Sequence, residues 1–197
     1  MLEDILYNLK PVLKQIVGEV EIEKNIISCI VNKLKTKKEI YAWTDGSMMK
    51  GRNGHGYIIL PERTLIKKYI TGYGRSLRGT IDSSLRSEHC GVLAVLIMIE
   101  SIEKAYGIEH SGKVTIYTDS MTVVQRIKEE TREMNFANTD YDLWSMSMSI
   151  LGKIKTSVRI EHVKAHQDEK VGPLTFEQYY NVTILQCKGR SAGKKRV

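Results

Sequence analysis

Residues 92–99, Val-Leu-Ala-Val-Leu-Ile-Met-Ile, are apolar without interruption. They sit in the middle of a segment, about residues 84–105, that reads as one long helix, with Asp82, Ser83 and Ser84 as N-cap candidates. A helix that is apolar on every face cannot lie on a surface, so it needs packed elements on both sides. Eight apolar residues also fall far short of the roughly 20 that span a bilayer, so no membrane association is expected. The chain must build layers around this helix. With 42% hydrophobic residues among 197 it has the means, which excludes disorder throughout.

The flanking segments alternate in period. Residues 2–34 carry Leu2, Ile5, Leu6, Leu9, Val12, Leu13, Ile16 and Val17 at spacings of three and four. After Gly18 the pattern continues through Ile22, Ile26, Ile27, Ile30, Val31 and Leu34. Residues 1–37 are therefore expected to be an amphipathic helical segment, with Pro11 as a kink or break. Beyond the Lys-rich linker 35–38, three consecutive strands are predicted at 40–43, 56–60 and 64–70, joined by short turns as an antiparallel meander. A fourth strand is expected at 114–117, a short helix capped by Ser120, a helix at 141–155, and a fifth strand at 157–163. The order calls for an α/β fold: a five-stranded mixed sheet, three antiparallel strands then two further strands, flanked by helices. Residues 38–187 form this domain, and 188–197 are a basic tail.

Charge is uneven. Lys188, Arg190, Lys194, Lys195 and Arg196 account for five of the net +7, leaving +2 for residues 1–187. A second basic group comprises Arg63, Lys67, Lys68, Arg75, Arg78 and Arg86. Such stretches attract polyanions. Cys29, Cys90 and Cys187 are odd in number and far apart, giving neither a disulfide framework nor a zinc set. With no basic, cleavable leader at Met1-Leu-Glu-Asp, an intracellular location, cytoplasmic or nuclear, is expected.

Two strands end alike: Ala42-Trp43-Thr44-Asp45-Gly46-Ser47 and Ile116-Tyr117-Thr118-Asp119-Ser120. In each, an apolar run is followed by an aspartate and small residues that permit close backbone approach. Glu88 lies near the start of the buried helix, where the helix dipole alone would favour an acid. If the strands are neighbours and the helix crosses them, Asp45, Glu88 and Asp119 converge. Hard divalent cations relieve the repulsion among three carboxylates, and two ions roughly 3.5–4 Å apart suit phosphodiester cleavage.

These motifs resemble the ribonuclease H domains of retrotransposon-type reverse transcriptases. Thr44-Asp45-Gly46-Ser47 is similar to the first-strand aspartate motif. Ser84-Leu85-Arg86-Ser87-Glu88-His89-Cys90-Gly91-Val92-Leu93-Ala94 is similar to the Ser-x-Arg-x-Glu-x-x-Gly-x-Leu-Ala helix. Thr118-Asp119-Ser120 and Val163-Lys164-Ala165-His166-Gln167-Asp168 are similar to the fourth-strand aspartate and the segment leaving the fifth strand. The resemblance covers about residues 38–182. It implies a ribonuclease H-like fold and hydrolysis of the RNA strand of RNA/DNA hybrids by a metal-activated water. Asp45 would bridge two Mg²⁺ (or Mn²⁺) ions, completed by Glu88 and Asp119. His166 would serve proton transfer and product release, and Gly46, Ser47, Ser84 and Ser120 would touch the hybrid's backbone. It also implies a reverse transcriptase domain as a partner.

One position departs from the family pattern. The family's last helix carries Asn-Val-x-x-Asp, and here the segment reads Asn181-Val182-Thr183-Ile184-Leu185. Leu185 cannot bind a hard cation. Asp168, Glu169 and Glu177 are the nearby substitutes. The alternative to an enzyme is a catalytically impaired module of the same fold that binds nucleic acid or a partner chain. His162 reads as a sheet residue, Gly51–Gly56 as a hairpin turn, and Met146, Met148 and Trp144 as helix packing.

Overall fold

The computed structural model describes residues 1–49, 52–63, 69–78, 83–109, 112–128 and 140–163. Its centre is α4 (Ser84–Tyr106). The Ser83 side chain caps this helix by accepting from the Arg86 N–H at 3.2 Å, and Gly107 ends it at φ 58°. Every residue from Arg86 to Glu103 is buried, so the helix is covered all round.

One face of α4 lies on a six-stranded mixed sheet in the order β1-β4-β3-β2-β5-β6. β2 (Glu39–Met49), β3 (Arg52–Leu60) and β4 (Ile70–Arg75) form the antiparallel meander. β5 (Lys113–Thr118) then runs parallel to β2, and β6 (Ser157–His162) parallel to β5. α5 (Met121–Lys128) and α6 (Tyr141–Leu151) join α4, burying Val123, Val124, Ile127, Leu143 and Ile150 in the same core. α6 stops at Leu151, short of the expected 155, because Lys155 and Thr156 turn to donate their backbone N–H groups to the buried Glu103 carboxylate. Among the described residues no helix is long and apolar enough to cross a membrane.

The sixth strand corrects the reading of residues 2–34 as helix throughout. Pro11 opens α2 (Pro11–Val17) at its first turn instead of kinking a longer helix, and α1 (Leu2–Tyr7) precedes it. Gly18, at φ 70°, ends α2. Its backbone passes so near β4 that an added Cβ would meet the Tyr73 carbonyl oxygen at 2.0 Å. The chain then extends as β1 (Glu19–Ile22), antiparallel to β4, with Val20 and Ile22 packed inward and Glu19 and Glu21 facing outward at the sheet edge. Over four residues the strand alternation is too short to stand out from a helical pattern. Helix resumes at α3 (Ile26–Lys35).

These N-terminal elements are part of the central core. Leu2, Ile16, Val17, Ile26, Ile30 and Leu34 are at most 3% exposed and belong to the same cluster as α4. Two side chains of β3 satisfy the carbonyls at the end of α2. His55 donates from Nε2 to Ile16 O at 2.6 Å, and Tyr57 donates to Val17 O at 3.1 Å. A carbonyl can only accept, so His55 is the Nε2–H tautomer and its Nδ1 accepts from Ser76 Oγ at 3.3 Å. Burial lowers the His55 pKa to about 4, and the ring is neutral at pH 7.

The opposite face of the sheet carries a smaller cluster of Trp43, Ile58, Leu60 and Tyr117, with Tyr41, Tyr69 and Val163 beside it. Trp43 and Tyr117 stack at 4.9 Å, and the Arg63 guanidinium lies 5.5 Å from the Tyr117 ring centre.

Candidate active site

The site arises from a mismatch in strand length. The β2–β5 parallel ladder ends at Thr44↔Thr118. The next residue of each strand is an aspartate, so Asp45 and Asp119 emerge side by side at the carboxyl end of the ladder. Asp119 is the first residue past β5. Asp45, expected where its strand leaves the core, lies inside β2, because β3 stays paired with it from Arg52 onward, with Asp45 opposite Gly56 and Gly46 opposite His55. The Gly51–Gly56 turn reading is corrected likewise: residues 52–56 are strand.

Glu88 comes from above, one turn into α4. Two glycines let the helix lie this close. A Cβ on Gly46 would stand 2.3 Å from the Glu88 backbone nitrogen, and a Cβ on Gly91 would stand 3.1 Å from the Thr44 Cβ. β2 and α4 therefore touch backbone to backbone at Gly46, and Asp45 is placed beside Glu88. One oxygen from each of Asp45, Glu88 and Asp119 lies within 4.8 Å of the others. Glu88 is buried and the two aspartates are half-buried.

This arrangement fits divalent cations. The donors are carboxylate oxygens, the set hard cations take. Asp119 Oδ1 is buried and has no hydrogen-bond partner, a costly state that a cation would relieve.

The other expected residues are placed as follows. Ser47 is half-buried in β2, beside the aspartate. Ser84 is exposed at the start of α4. Ser120 accepts from the Val123 N–H at 3.4 Å, so it caps α5 as expected. His162 ends β6 in register with Thr118 and is exposed. His166, Asp168, Glu169, Glu177, Leu185 and the tail 188–197 lie outside the described residues.

A polar network around Glu88 was not anticipated. Arg86, counted with the basic surface group from sequence, is 1% exposed. Its guanidinium makes two bonds to the Asp142 carboxylate at 2.8 and 2.7 Å and a third to Leu77 O at 3.1 Å. The bond from Arg86 holds the Asp142 pKa below the usual carboxylate value. His89 is fully buried, with Nδ1 at 3.1 Å from Asp140 Oδ2 and Nε2 at 3.2 Å from Ser147 Oγ. Asp140 also takes a bond from Arg126. Burial, with help from the Arg126 and Arg86 charges, lowers the His89 pKa to about 3. Its Nδ1–H donates to the Asp140 carboxylate, which can only accept. The sequence held one signal for this network: charged and imidazole side chains within a helix buried all round require buried partners.

An antiparallel meander continued by two parallel strands, with a helix across it and acidic side chains at the carboxyl end of the central pair, defines a ribonuclease H-like protein. The RNase H family model matches residues 37–173, and the chain belongs to that family. Among solved structures, LC11-RNase H1, isolated from compost by a metagenomic approach, is 12% identical, covering 80% of this chain and 99% of that one at a TM-score of 0.53. The N-terminal RNase H domain of Rv2228c from Mycobacterium tuberculosis, solved as a fusion with maltose-binding protein, is 14% identical over 79% and 99% of the two chains at 0.50. LC11-RNase H1 in complex with an RNA/DNA hybrid is 15% identical over 65% and 87% at 0.50. At these identities the likeness is one of fold. No curated protein matches the chain.

Proposed function

We propose that this chain hydrolyses the RNA strand of RNA/DNA hybrids, with Asp45, Glu88 and Asp119 holding Mg²⁺ or Mn²⁺ in a two-ion site. The observation that carries the reading is the meeting of these three carboxylates within 4.8 Å. Such ions, when bound, supply a water of lowered pKa and neutralise charge on the scissile phosphate. Asp45, Glu88 and Asp119 are the residues of this chain that would hold them. Gly46, Ser47, Ser84 and Ser120 surround the carboxylates in sequence and face the hybrid's backbone, where a 2′-hydroxyl distinguishes RNA from DNA. His166 serves proton transfer and product release. Residues 38–187 carry the catalytic machinery on a core that residues 1–37 complete, and the tail 188–197 adds non-specific attraction to nucleic acid. The helix motif from Ser84 to Ala94 supports a retrotransposon-type setting with a reverse transcriptase domain as partner, inside the cell.

The test is incubation of the purified chain with a hybrid labelled on the RNA strand, in Mg²⁺ and in Mn²⁺. RNA-strand cleavage abolished by Asp45→Asn supports the reading. Leu185, where the family pattern has an aspartate, favours a second reading: a module that binds hybrids without turnover. Hybrid binding that weakens with salt, without cleavage in either metal, selects it.

A further inference from the structure

The candidate metal ligands come from three elements, and β2 is tied to α4 by the Gly46 contact and to β5 by the parallel ladder. Glu88 rides on α4. Asp119 precedes α5 by two residues. A buried connection between α4 and α5 would add a direct tie between the elements that bear two of the three carboxylates. Asp140 makes that connection. It is fully buried and stands just before α6. At that N-cap position an aspartate ordinarily accepts from the first free N–H groups of its own helix. Here it makes no such bond. Oδ2 is 3.1 Å from Nδ1 of His89, the residue after Glu88, and Oδ1 takes a bond from Arg126 on α5. Ser147, about two turns further along α6, meets the other imidazole nitrogen at 3.2 Å, so the ring is held at both ends.

We infer that Asp140 is a positioning residue for the metal site, joining the helix of Glu88 to the helix that follows Asp119 through His89 and Arg126. The inference rests on the metal reading proposed above. Asp140 touches neither metal nor substrate. It forgoes a cap on its own helix, and the two groups it binds instead lie on α4, which carries Glu88, and on α5, which follows Asp119. Ion ligands tolerate displacements of only a few tenths of an ångström, so a small drift of α4 against α5 is felt as lost affinity.

The experiment is calorimetric titration of the full chain with MnCl₂, without nucleic acid. The wild-type chain is expected to show a site that Asp45→Asn removes. Absence of an Asp45-dependent site overturns the metal reading and this inference with it. Given that site, Asp140→Ala is expected to weaken Mn²⁺ binding at least about tenfold while the far-ultraviolet dichroism stays native. Asp140→Asn should stay within about threefold of wild type. Its carbonyl still accepts from Arg126, and its amide donates to His89 Nδ1 once the imidazole proton moves to Nε2 and is given to Ser147. If Asp140→Ala does not fold, Arg126→Met, at a partly exposed position, is expected to weaken binding about threefold. Wild-type Mn²⁺ affinity in folded Asp140→Ala or Arg126→Met, or equal weakening by Asp140→Asn and Asp140→Ala, overturns the positioning role while leaving the metal site in place.

Discussion

Gly46 and Glu88 are in backbone contact: a single added carbon on Gly46 would stand 2.3 Å from the Glu88 nitrogen and 2.5 Å from the carbonyl carbon of Ser87. These atoms belong to two backbones and cannot swing aside, so Gly46→Ala must push β2 and α4 apart. The expected cost is about 2–3 kcal/mol of unfolding free energy, by analogy with overpacked cores. The divalent-metal response should be lost with it. Urea titration with and without MnCl₂ reads both, and an alanine variant as stable as wild type would show that the strand and helix are not in contact there.

The carboxylate trio should make the metal-free protein weaker than its neutralised variants. Three like charges within 4.8 Å repel. Asp119→Asn removes one charge and gives the buried, unpartnered Oδ1 position a neutral oxygen. In chelator, Asp119→Asn is expected to melt at or above the wild-type temperature. In excess Mg²⁺ the order reverses, because wild type gains about 2.7 kcal/mol at a hundredfold excess over Kd and the variant does not. Differential scanning fluorimetry across a metal series checks the crossover.

The Arg86–Asp142 pair should be costly to break from one side. Asp142→Ala takes two bonds from the guanidinium of Arg86, which is 1% exposed. A fully buried pair would cost roughly 3–5 kcal/mol, but the Asp142 side chain is 54% exposed and water compensates in part, so about 2 kcal/mol is expected. Replacing both residues, Arg86→Met with Asp142→Ala, should recover part of this loss in a double-mutant cycle.

Acid should destabilise the protein through His55 at a higher pH than carboxylate titration alone would. The folded-state pKa is about 4 against 6.5 for the free side chain. The unfolded chain therefore binds the proton first as pH falls. Stability is full above about 6.5, declines between 6.5 and 4, and levels off below. By pH 4.5 the loss from this group is about 2–3 kcal/mol. His55→Gln, which keeps a donor for Ile16 O, should flatten the slope between pH 6.5 and 4.5 in urea-midpoint measurements. An unchanged slope would mean His55 is protonated in the fold.

Residues 1–37 fall almost entirely outside the stretch matched by the family, yet they complete the core. A chain starting at Lys38 would expose the surfaces under Ile16, Ile30 and Leu34 and leave His55 and Tyr57 without their acceptors. It is expected to lose near-ultraviolet dichroism or aggregate. Ile30→Ala in the full chain should cost about 2–4 kcal/mol.

The amino-acid order alone determined the helix of residues 84–106, since eight consecutive apolar residues within a capped segment admit no surface placement. It also determined a mixed sheet that begins as an antiparallel meander and the three acids that define the site, because strand-end aspartates and a helix glutamate carry local signatures; the meander's third strand, expected at 64–70, lies at Ile70–Arg75, and the parallel pairing of the last two strands came from the structure. What lay beyond it was set by contacts between distant residues. β1 is strand because β4 offers an unpaired edge and Gly18 turns the chain onto it, neither of which is visible in a four-residue pattern. Asp45 stays inside β2 because β3 extends to pair with it. Arg86 and His89 look like surface and bystander residues until Asp142, Asp140 and Ser147, more than fifty positions away, are folded against them. Periodicity reports which face of an element is buried. It does not report which buried polar group meets which, and that matching, made by the packing of α4 against α5 and α6, decides where the carboxylates stand.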